Sequence, residues 1–410
     1  MTPSIPRGVP PAGRFALLAA LFSSVGQTFF IGLFGAEFRA AFDLSDAGLG
    51  TLYSGATLAS GLLMFWLGGI VDRRALRHVV IAVLAALAVG AWLVASAAGP
   101  WSLLPGLFLV RLAGQGMMGH LGVVAAGRYA VHRRGRALAM VSYGFILGEA
   151  CLPPLVAWAL SDLEWRVVWL ASALLLASIA APLMWWMARP LTGNPAADLD
   201  AAAGEPDLGR RALLTSPVFQ RVLLVVLVPP VVVTAAFLHQ GAVAERMGWS
   251  LLDVGRAFVG FALAQAGAAF LAGRLIDRFS ARGVLRVQLL PLGLGMVALG
   301  WAPPAAALWL MFLGLGVTAG FNGVTSAAVW VELFGTRQLG MIRGVYSALM
   351  VLGTAIGPIA LGAALDVGIS LAAIGLSVLA WTVIVAPLAT PGVLAARRAR
   401  ALAAGTRQGG

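Results

Sequence analysis

The sequence carries little charge, and it contains no lysine. Of its 410 residues, 11% are charged, 60% are hydrophobic, and the mean hydropathy is +0.92. Soluble globular domains carry about 25% charged residues, so this composition excludes a soluble globular domain. It indicates a chain that lies mostly within a lipid bilayer, where one spanning helix needs roughly 20 apolar residues.

Cysteine and histidine are also scarce. Cys151 is the single cysteine, and the four histidines are His78, His120, His132 and His239. One cysteine cannot build a disulfide framework, and the histidine spacing does not match a zinc or haem site, so we expect no metal and no cofactor. Because H-E-x-x-H and G-x-S-x-G motifs are absent as well, a membrane enzyme is the least favoured function.

Twelve apolar runs of spanning length follow one another along the chain. The first six lie near residues 15–36, 48–71, 78–98, 102–127, 137–160 and 167–188, and the other six near 217–244, 251–276, 284–302, 305–331, 342–365 and 367–389. The segment between them is rich in Ala, Pro, Gly and Asp, which is typical of a flexible linker. We therefore predict an N-terminal six-helix bundle over 1–188, a cytoplasmic linker over 189–216, a C-terminal six-helix bundle over 217–396 and a disordered tail over 397–410.

The 28 arginines are unevenly distributed over the loops. If both termini lie on one side, 23 arginines fall on that side, four fall on the other, and Arg111 lies within the fourth span. Arginine is enriched in cytoplasmic loops, so we expect a multi-pass protein of the bacterial inner membrane with both termini in the cytoplasm. Because the positive charge is scattered rather than clustered, we expect no nucleic-acid partner.

The two halves of the chain repeat each other. Ser45, Gly55, Gly68, Asp72, Arg73 and Arg77 recur 205 residues later as Ser250, Gly260, Gly273, Asp277, Arg278 and Arg282. Arg134, Gly135, Gly144 and Gly148 recur 209 residues later as Arg343, Gly344, Gly353 and Gly357. Tandem halves of this kind are typical of transporters.

The repeated loop carries a resemblance to a known family. Its two copies, Gly68, Asp72, Arg73 and Arg77, then Gly273, Asp277, Arg278 and Arg282, follow the G-x-x-x-D-R-x-x-x-R pattern of the major facilitator superfamily, and RLAGQG at 111–116 is similar to that family's fourth span. Over essentially the whole chain the resemblance implies an all-α membrane protein with twelve transmembrane helices in two pseudo-symmetric six-helix bundles, which works by alternating access. Both loops depart from the pattern at the second glycine, where Ala75 and Ser280 stand.

We interpret these two segments as gating loops that act through charge. Asp72 can accept hydrogen bonds from neighbouring arginines or lie at a helix N-terminus, and Arg73 and Arg77 can contact anionic lipid headgroups. The alternative is that these arginines only set the topology.

Polar residues in mid-membrane identify the spans that we expect to line a substrate cavity. Spans three, six, nine and twelve lack them or carry only Gln288 near one end, so they are predicted to be outer helices. The predicted substrate-binding residues are Gln27, Arg111, Gln115, His239, Gln265, Asn322 and Tyr346. A structural hydrogen bond between helices is the alternative role for His239 and Asn322.

Arg111 and Glu149 are the two charges predicted to lie deepest. Arg111 is ten residues past Trp101, about 15 Å along a helix, and Glu149 is twelve residues past Ala137, about 18 Å along. We hypothesise that protonation of Glu149 releases Arg111 to bind an anionic substrate, which would couple proton and anion movement. The alternatives are a structural arginine and a permanent ion pair for helix packing.

The favoured function is secondary active transport of a small organic anion, such as a monocarboxylate, with proton coupling. Residues 127–154 and ELFGTR at 332–337 loosely resemble monocarboxylate and organic-anion carriers, whereas Gly148 is followed by Glu149 and not by the proline of drug antiporters. We expect a monomer that contacts membrane lipids, a small-molecule substrate and a proton or other coupling ion. The alternatives are a proton-coupled exporter of drugs or amphipathic metabolites and a non-transporting receptor or assembly factor.

Overall fold

A computed structural model describes residues 9–130, 133–193, 210–335 and 339–387. No β-strand occurs within these ranges, and most of their residues are helical. Most of the predicted linker (194–209) and all of the predicted tail (397–410) lie outside the described residues, as do the side chains of Asp72 and Arg134.

Twelve long helices follow one another in the described ranges, and we number them in chain order. They are α1 (Pro11–Phe42, interrupted by short 3-10 turns), α2 (Asp46–Leu67), α3 (Leu76–Ala95), α4 (Pro100–Tyr129), α5 (Arg134–Ala159), α6 (Trp165–Ala188), α7 (Pro217–Leu238), α8 (Leu251–Phe279), α9 (Ala281–Trp301), α10 (Pro304–Phe334), α11 (Leu339–Asp366) and α12 (Leu371–Pro387). Short helices lie at Ile70–Arg73, Arg210–Thr215 and Gln240–Met247.

The length and composition of these helices suit a bilayer. All except α2 and α12 are long and apolar enough to cross a membrane, which makes ten candidate spans in the described part of the chain. The helix α2 has 22 residues, also enough for a span, and α12 is a shorter apolar helix. Because a helix satisfies its own backbone hydrogen bonds, apolar runs of this length form helices in lipid, and the all-α membrane fold predicted from the sequence is confirmed.

The chain divides into two compact units. Among the described residues, the first unit comprises 9–43, 55–130 and 133–193, and the second comprises 44–54, 210–335 and 339–387. The helix α2 therefore contributes residues 46–54 to the second unit and its later residues to the first. The bundle boundaries at 188 and 217 stay a prediction.

Glycine allows close helix packing in the first unit. A Cβ atom at Gly144 of α5 would overlap the Leu17 carbonyl oxygen of α1, and a Cβ atom at Gly122 of α4 would lie 3.2 Å from the Ala16 carbonyl oxygen. The backbones of α4 and α5 thus approach α1 directly, as small residues allow in membrane helices.

In the second unit, α10 is packed in the same way. A Cβ atom at Gly320 of α10 would overlap the Gln265 carbonyl oxygen of α8, and a Cβ atom at Gly295 of α9 would lie 2.7 Å from the Leu310 carbonyl oxygen of α10. These contacts hold α8 and α9 against α10. Glycine residues therefore allow close helix packing in both units.

The two gating loops differ at the position where the family pattern has a glycine. Ala75 has an ordinary extended backbone, with φ −62° and ψ 132°, whereas Ser280 has φ 71° and ψ 158°. Only glycine adopts the latter conformation readily. Glu332 of α10 stabilises this turn, since it accepts the Ala281 N–H at 2.7 Å and the Arg282 Nε–H at 3.1 Å.

We expect Ser280→Gly to stabilise the protein and Ser280→Val to destabilise it, because a Cβ atom at this φ costs on the order of 1–3 kcal/mol and a branched one costs more. Thermal unfolding of the detergent-purified protein, followed by size-exclusion chromatography, measures both changes.

Ala75→Gly and Ala75→Val are the matched control variants, since Ala75 has a negative φ. There we expect glycine to give no stabilisation. If glycine raised the unfolding temperature equally at positions 75 and 280, backbone strain at Ser280 would not be the cause.

Candidate functional site

The helix α1 is broken in its middle. It is α-helical to Ser23, forms a 3-10 turn over Ser24–Gly26, becomes extended at Gln27 with φ −83° and ψ 153°, and resumes at Thr28. The break interrupts the regular backbone hydrogen bonds of the helix, so carbonyl oxygens become available to side chains. Discontinuous helices form the substrate and ion sites of many transporters.

The helix α4 is irregular where it meets this break. Its segment Arg111–Met118 is π-helical, a rare geometry that is frequent at functional sites. Gly26 and Gly114 make the contact, because a Cβ atom at Gly114 would lie 2.6 Å from the Gly26 Cα, and one at Gly26 would overlap the Val110 carbonyl oxygen. Glycine is therefore required at both positions for the break and the π-helix to pack.

Arg111 lies fully buried at this contact, with 1% of its surface exposed. Its Nε–H donates to Thr57 Oγ1 of α2 at 3.1 Å, and its Nη1 donates to the Gly26 carbonyl oxygen at 3.1 Å and to Thr28 Oγ1 at 3.5 Å. These bonds join α4 to α2 and to both sides of the α1 break, which agrees with the structural role that the sequence left open. A role in substrate binding stays a prediction.

Glu149 lies near the same break. The preceding residue, Gly148, packs on α1 so closely that a Cβ atom there would overlap Ser24 Oγ. Glu149 is half-buried, and its Oε2 atom is fully buried. A carboxylate and a guanidinium thus both lie beside the break in α1, while their direct pairing stays a prediction.

Gln27 and Gln115 belong to the same region of the first unit. Gln27 is the extended residue of the α1 break, and Gln115 lies in the π-helix, where its backbone nitrogen would be 2.9 Å from a Cβ atom at Gly26. Both side chains are half-buried. The structure therefore places Gln27, Arg111, Gln115 and Glu149 at the α1 break or on a helix segment packed against it.

Asn322 is the centre of a second polar cluster, in the second unit. Its Oδ1 accepts from Gln288 Nε2 at 3.2 Å, its Nδ2 donates to the Val226 carbonyl oxygen at 3.4 Å, and Tyr346 is hydrogen-bonded to it and to Ser326. Pro230 lacks the backbone N–H that would otherwise bond the Val226 carbonyl oxygen four residues earlier. This oxygen is therefore able to accept the hydrogen bond from Asn322. Asn322 thus joins α7, α9 and α11 to α10.

Three residues of these clusters do not stand out as site residues in the sequence. Gln288, placed near the end of an outer helix, is buried and bonded to Asn322. Thr28 and Thr57, which hold Arg111, were not singled out because threonine is common in apolar helices. Two proline residues in succession, Pro229 and Pro230, are the sequence signal that predicts unbonded carbonyl oxygens in α7.

The other two predicted substrate residues lie elsewhere in the second unit. Gln265 of α8 is half-buried, and its Oε1 atom has no hydrogen-bond partner among the described residues. His239 follows the last residue of α7, and its Nε2 lies 2.8 Å from the Pro358 carbonyl oxygen of α11. No hydrogen bond within the described residues joins Gln265 to the Asn322 cluster.

The first gating loop is held by α4. The Gly68 carbonyl oxygen lies 3.0 Å from His120 Nε2, and the Val71 carbonyl oxygen accepts from Arg128 Nη1 at 3.0 Å. His120, which the sequence alone does not assign to a site, therefore contacts the loop.

The charged residues of both loops are largely exposed. Arg73, Arg77, Asp277 and Arg278 lie at the surface, whereas Arg282 is half-buried against Glu332. The roles proposed for Gly68, Asp72, Gly273 and these arginines in gating stay predictions. In the described residues, no group of three His, Cys, Asp or Glu side chains is placed to hold a metal ion.

Known structures share this fold. The nucleoside transporter NupG is 14% identical with a TM-score of 0.70, and the alignment covers 93% of this chain and 99% of NupG. A bacterial homologue of the human lysosomal transporter Spinster is 17% identical with a TM-score of 0.71, covering 94% of this chain and 98% of that one. A D-xylose-proton symporter is 16% identical with a TM-score of 0.71, covering 92% and 96%. At these identities the similarity shows the fold alone.

Comparison with curated proteins gives no match. The family model described as Major Facilitator Superfamily matches residues 16–358 and, in a second match, residues 231–405. Together the matches extend over most of the twelve helices, so the chain belongs to the major facilitator superfamily of membrane transporters.

Proposed function

We propose that the chain is a secondary active transporter that moves a small organic anion, such as a monocarboxylate, across the bacterial inner membrane with protons. The observation that carries this proposal is the burial of Arg111 at the junction of the α1 break and the α4 π-helix. A cation inside a membrane protein is costly, and where it is kept it usually marks a substrate or ion pathway.

The contacts of Arg111 suit this role. The acceptors at Thr57, Thr28 and the Gly26 carbonyl fix the orientation of the guanidinium at the α1 break. A planar guanidinium held in this way is well suited to bind a carboxylate through two N–H groups. The flanking amides of Gln27 and Gln115 supply further hydrogen-bonding groups for a small polar anion.

Glu149 is the proposed coupling residue. Its Oε2 atom is buried, and its helix contacts α1 next to the break. Burial disfavours a charged carboxylate and a nearby guanidinium favours it, so the proton on Glu149 and the anion on Arg111 are expected to bind together. The xylose-proton symporter, which shares the fold, is named for proton coupling, and this supports a proton as the coupling ion here.

The topology follows from the arginine distribution. We place both termini in the cytoplasm, with the two gating loops on the same side, and we propose a monomer as the transporting unit. Asn322, Tyr346 and Gln265 of the second unit are also proposed as substrate-binding residues.

We expect Arg111→Ala to lower transport at least tenfold and Arg111→Lys to lower it less, because lysine keeps the charge but loses the planar fork. Counterflow of labelled lactate, pyruvate and succinate into proteoliposomes measures both.

Thr57→Val separates transport from folding, because it removes the hydrogen bond from Arg111 Nε to Thr57 and keeps the charge of Arg111. This variant is expected to retain most of the transport activity. Arg256→Ala, at an exposed ion pair with Asp253, is the control for loss of a cation.

Equal loss of transport in Thr57→Val and Arg111→Ala, with parallel loss of folded protein, would leave Arg111 with a structural role alone. Absence of counterflow by the folded wild-type protein for all three anions would exclude those substrates, and lipophilic cations would be screened next for the exporter alternative.

We expect Glu149→Gln to abolish accumulation driven by a pH gradient and to preserve counterflow at equal pH, because glutamine mimics the protonated carboxyl group. Substrate uptake with and without an imposed gradient measures this. Glu164→Gln, in the exposed loop before α6, is the matched control. Gradient-driven accumulation that survives in Glu149→Gln would show that the coupling proton binds elsewhere.

A further inference from the structure

Four ionisable side chains meet in the second unit, around the first turn of α2. Asp366, the last residue of α11, accepts the backbone N–H groups of Asp46 and Ala47, both at 2.9 Å. These N–H groups belong to the first turn of α2, where a helix offers its own N–H groups no acceptor. The helix dipole also favours a carboxylate at this position. Asp366 therefore caps a helix that is 320 residues away in the sequence.

The backbones of α2 and α11 are in direct contact below this cap. A Cβ atom at Gly50 would lie 2.7 Å from the Pro358 carbonyl oxygen, and one at Gly362 would lie 2.5 Å from the Asp46 carbonyl oxygen. Ser54 Oγ also donates to the Ala355 carbonyl oxygen at 2.5 Å. The beginning of α2 is thus fitted closely against α11.

His239 lies beside this contact and is bonded at one ring nitrogen. The residue is 1% exposed, and its Nε2 is 2.8 Å from the Pro358 carbonyl oxygen. A carbonyl oxygen can only accept a hydrogen bond, so Nε2 must carry a proton. In a neutral imidazole, the other nitrogen, Nδ1, is then an acceptor without a proton.

The Nδ1 atom faces a carboxylate. It lies 3.7 Å from Asp46 Oδ1, and the two side chains are 0% and 7% exposed. Two acceptors that face each other away from water repel, whereas a proton between them turns the contact into an attraction. A neutral histidine facing an ionised aspartate is therefore unfavourable here. The contact becomes favourable when the pair binds one further proton.

The charges around the pair also call for that proton. Asp46 Oδ2 lies 3.9 Å from Arg246 Nη2, which donates to the Leu365 carbonyl oxygen at 2.8 Å, and Asp366 interacts electrostatically with His239. Arg246 and Asp366 are exposed to water, whereas His239 and Asp46 are buried. A proton on His239 places a positive charge beside the buried Asp46 carboxylate, which lowers the cost of burying that carboxylate.

We propose that Asp46 and His239 form a proton-binding site, in which one exchangeable proton from water binds His239 Nδ1 and holds the first turn of α2 against α7 and α11. This assigns His239 to proton binding rather than to the substrate contact predicted from its position. Its use as a coupling site rests on the proposed transport function, whereas the proton site itself does not.

The site can be tested without a substrate. The full chain, labelled with ¹⁵N-histidine, is reconstituted in lipid nanodiscs, and the ring signals are recorded from pH 5 to pH 9, with His239 assigned by its loss in His239→Gln. We expect Nδ1 to lose its proton within this range while Nε2 stays protonated. In Asp46→Asn the midpoint is expected to fall by about one pH unit or more, since an opposite charge within about 4–6 Å favours the imidazolium.

Asp253→Asn is the matched control, because Asp253 lies at the start of another helix with 46% of its side chain exposed, and it is expected to leave the midpoint unchanged. An Nδ1 that keeps one protonation state from pH 5 to pH 9 would overturn the proposal. The same midpoint in the wild type and in Asp46→Asn would overturn it as well. Because each variant is compared by its own histidine signal, a misfolded variant is recognised by the signals of the other histidines.

A second measurement separates the site from the transport function. In proteoliposomes with labelled lactate, pyruvate and succinate, His239→Gln is expected to lose the response to a pH gradient and to keep counterflow. If His239 titrates but the wild type moves none of these anions, the proton site stands and the proposed substrate class fails. If the wild type responds to the gradient and His239→Gln responds equally, transport stands and coupling through His239 is overturned.

Discussion

The first unit depends on the way in which the charge of Arg111 is held away from water. Its guanidinium is bonded to a carbonyl oxygen at the α1 break and to two threonine hydroxyl groups. A regular α1 would offer its carbonyl oxygens to its own backbone, so the break is a condition for burying the arginine. Gly26 and Gly114 are a condition for the break, since any side chain there would separate α1 from α4.

The second unit uses the same principle with a different residue. There the irregularity is a pair of prolines in α7, which leaves the Val226 carbonyl oxygen for Asn322, a neutral side chain. In both units a defect in one helix supplies the acceptor that a polar side chain of another helix needs in an apolar environment. The cluster at the α1 break thereby keeps a guanidinium in the interior, and the Asn322 cluster keeps uncharged amide and phenol groups, which is the basis for proposing that an anion binds at the first cluster.

The two gating loops show how far a sequence repeat can diverge in structure. Arg77 and Arg282 occupy equivalent positions, yet Arg282 is bonded to Glu332 while Arg77 is exposed. The first loop is held instead through its backbone carbonyl oxygens, by His120 and Arg128. Equivalent residues therefore do not imply equivalent contacts, since the neighbouring helices differ in sequence.

The sequence alone determined the membrane class, the number of long helices and the family, because hydrophobic length and the repeated loop are local patterns. It also singles out Arg111, Gln115, Gln27 and Glu149, since polar residues in apolar runs are few, and their roles stay predictions. It could not predict that α1 breaks at Ser24–Gly26, because the break depends on the fit of Gly26 to α4. Nor could it join Asp46 to His239 or Gln288 to Asn322, residues far apart in the chain. Only the tertiary structure decides such pairs, because the hydrogen-bond partner of a buried polar group is set by helix packing and not by neighbours in sequence.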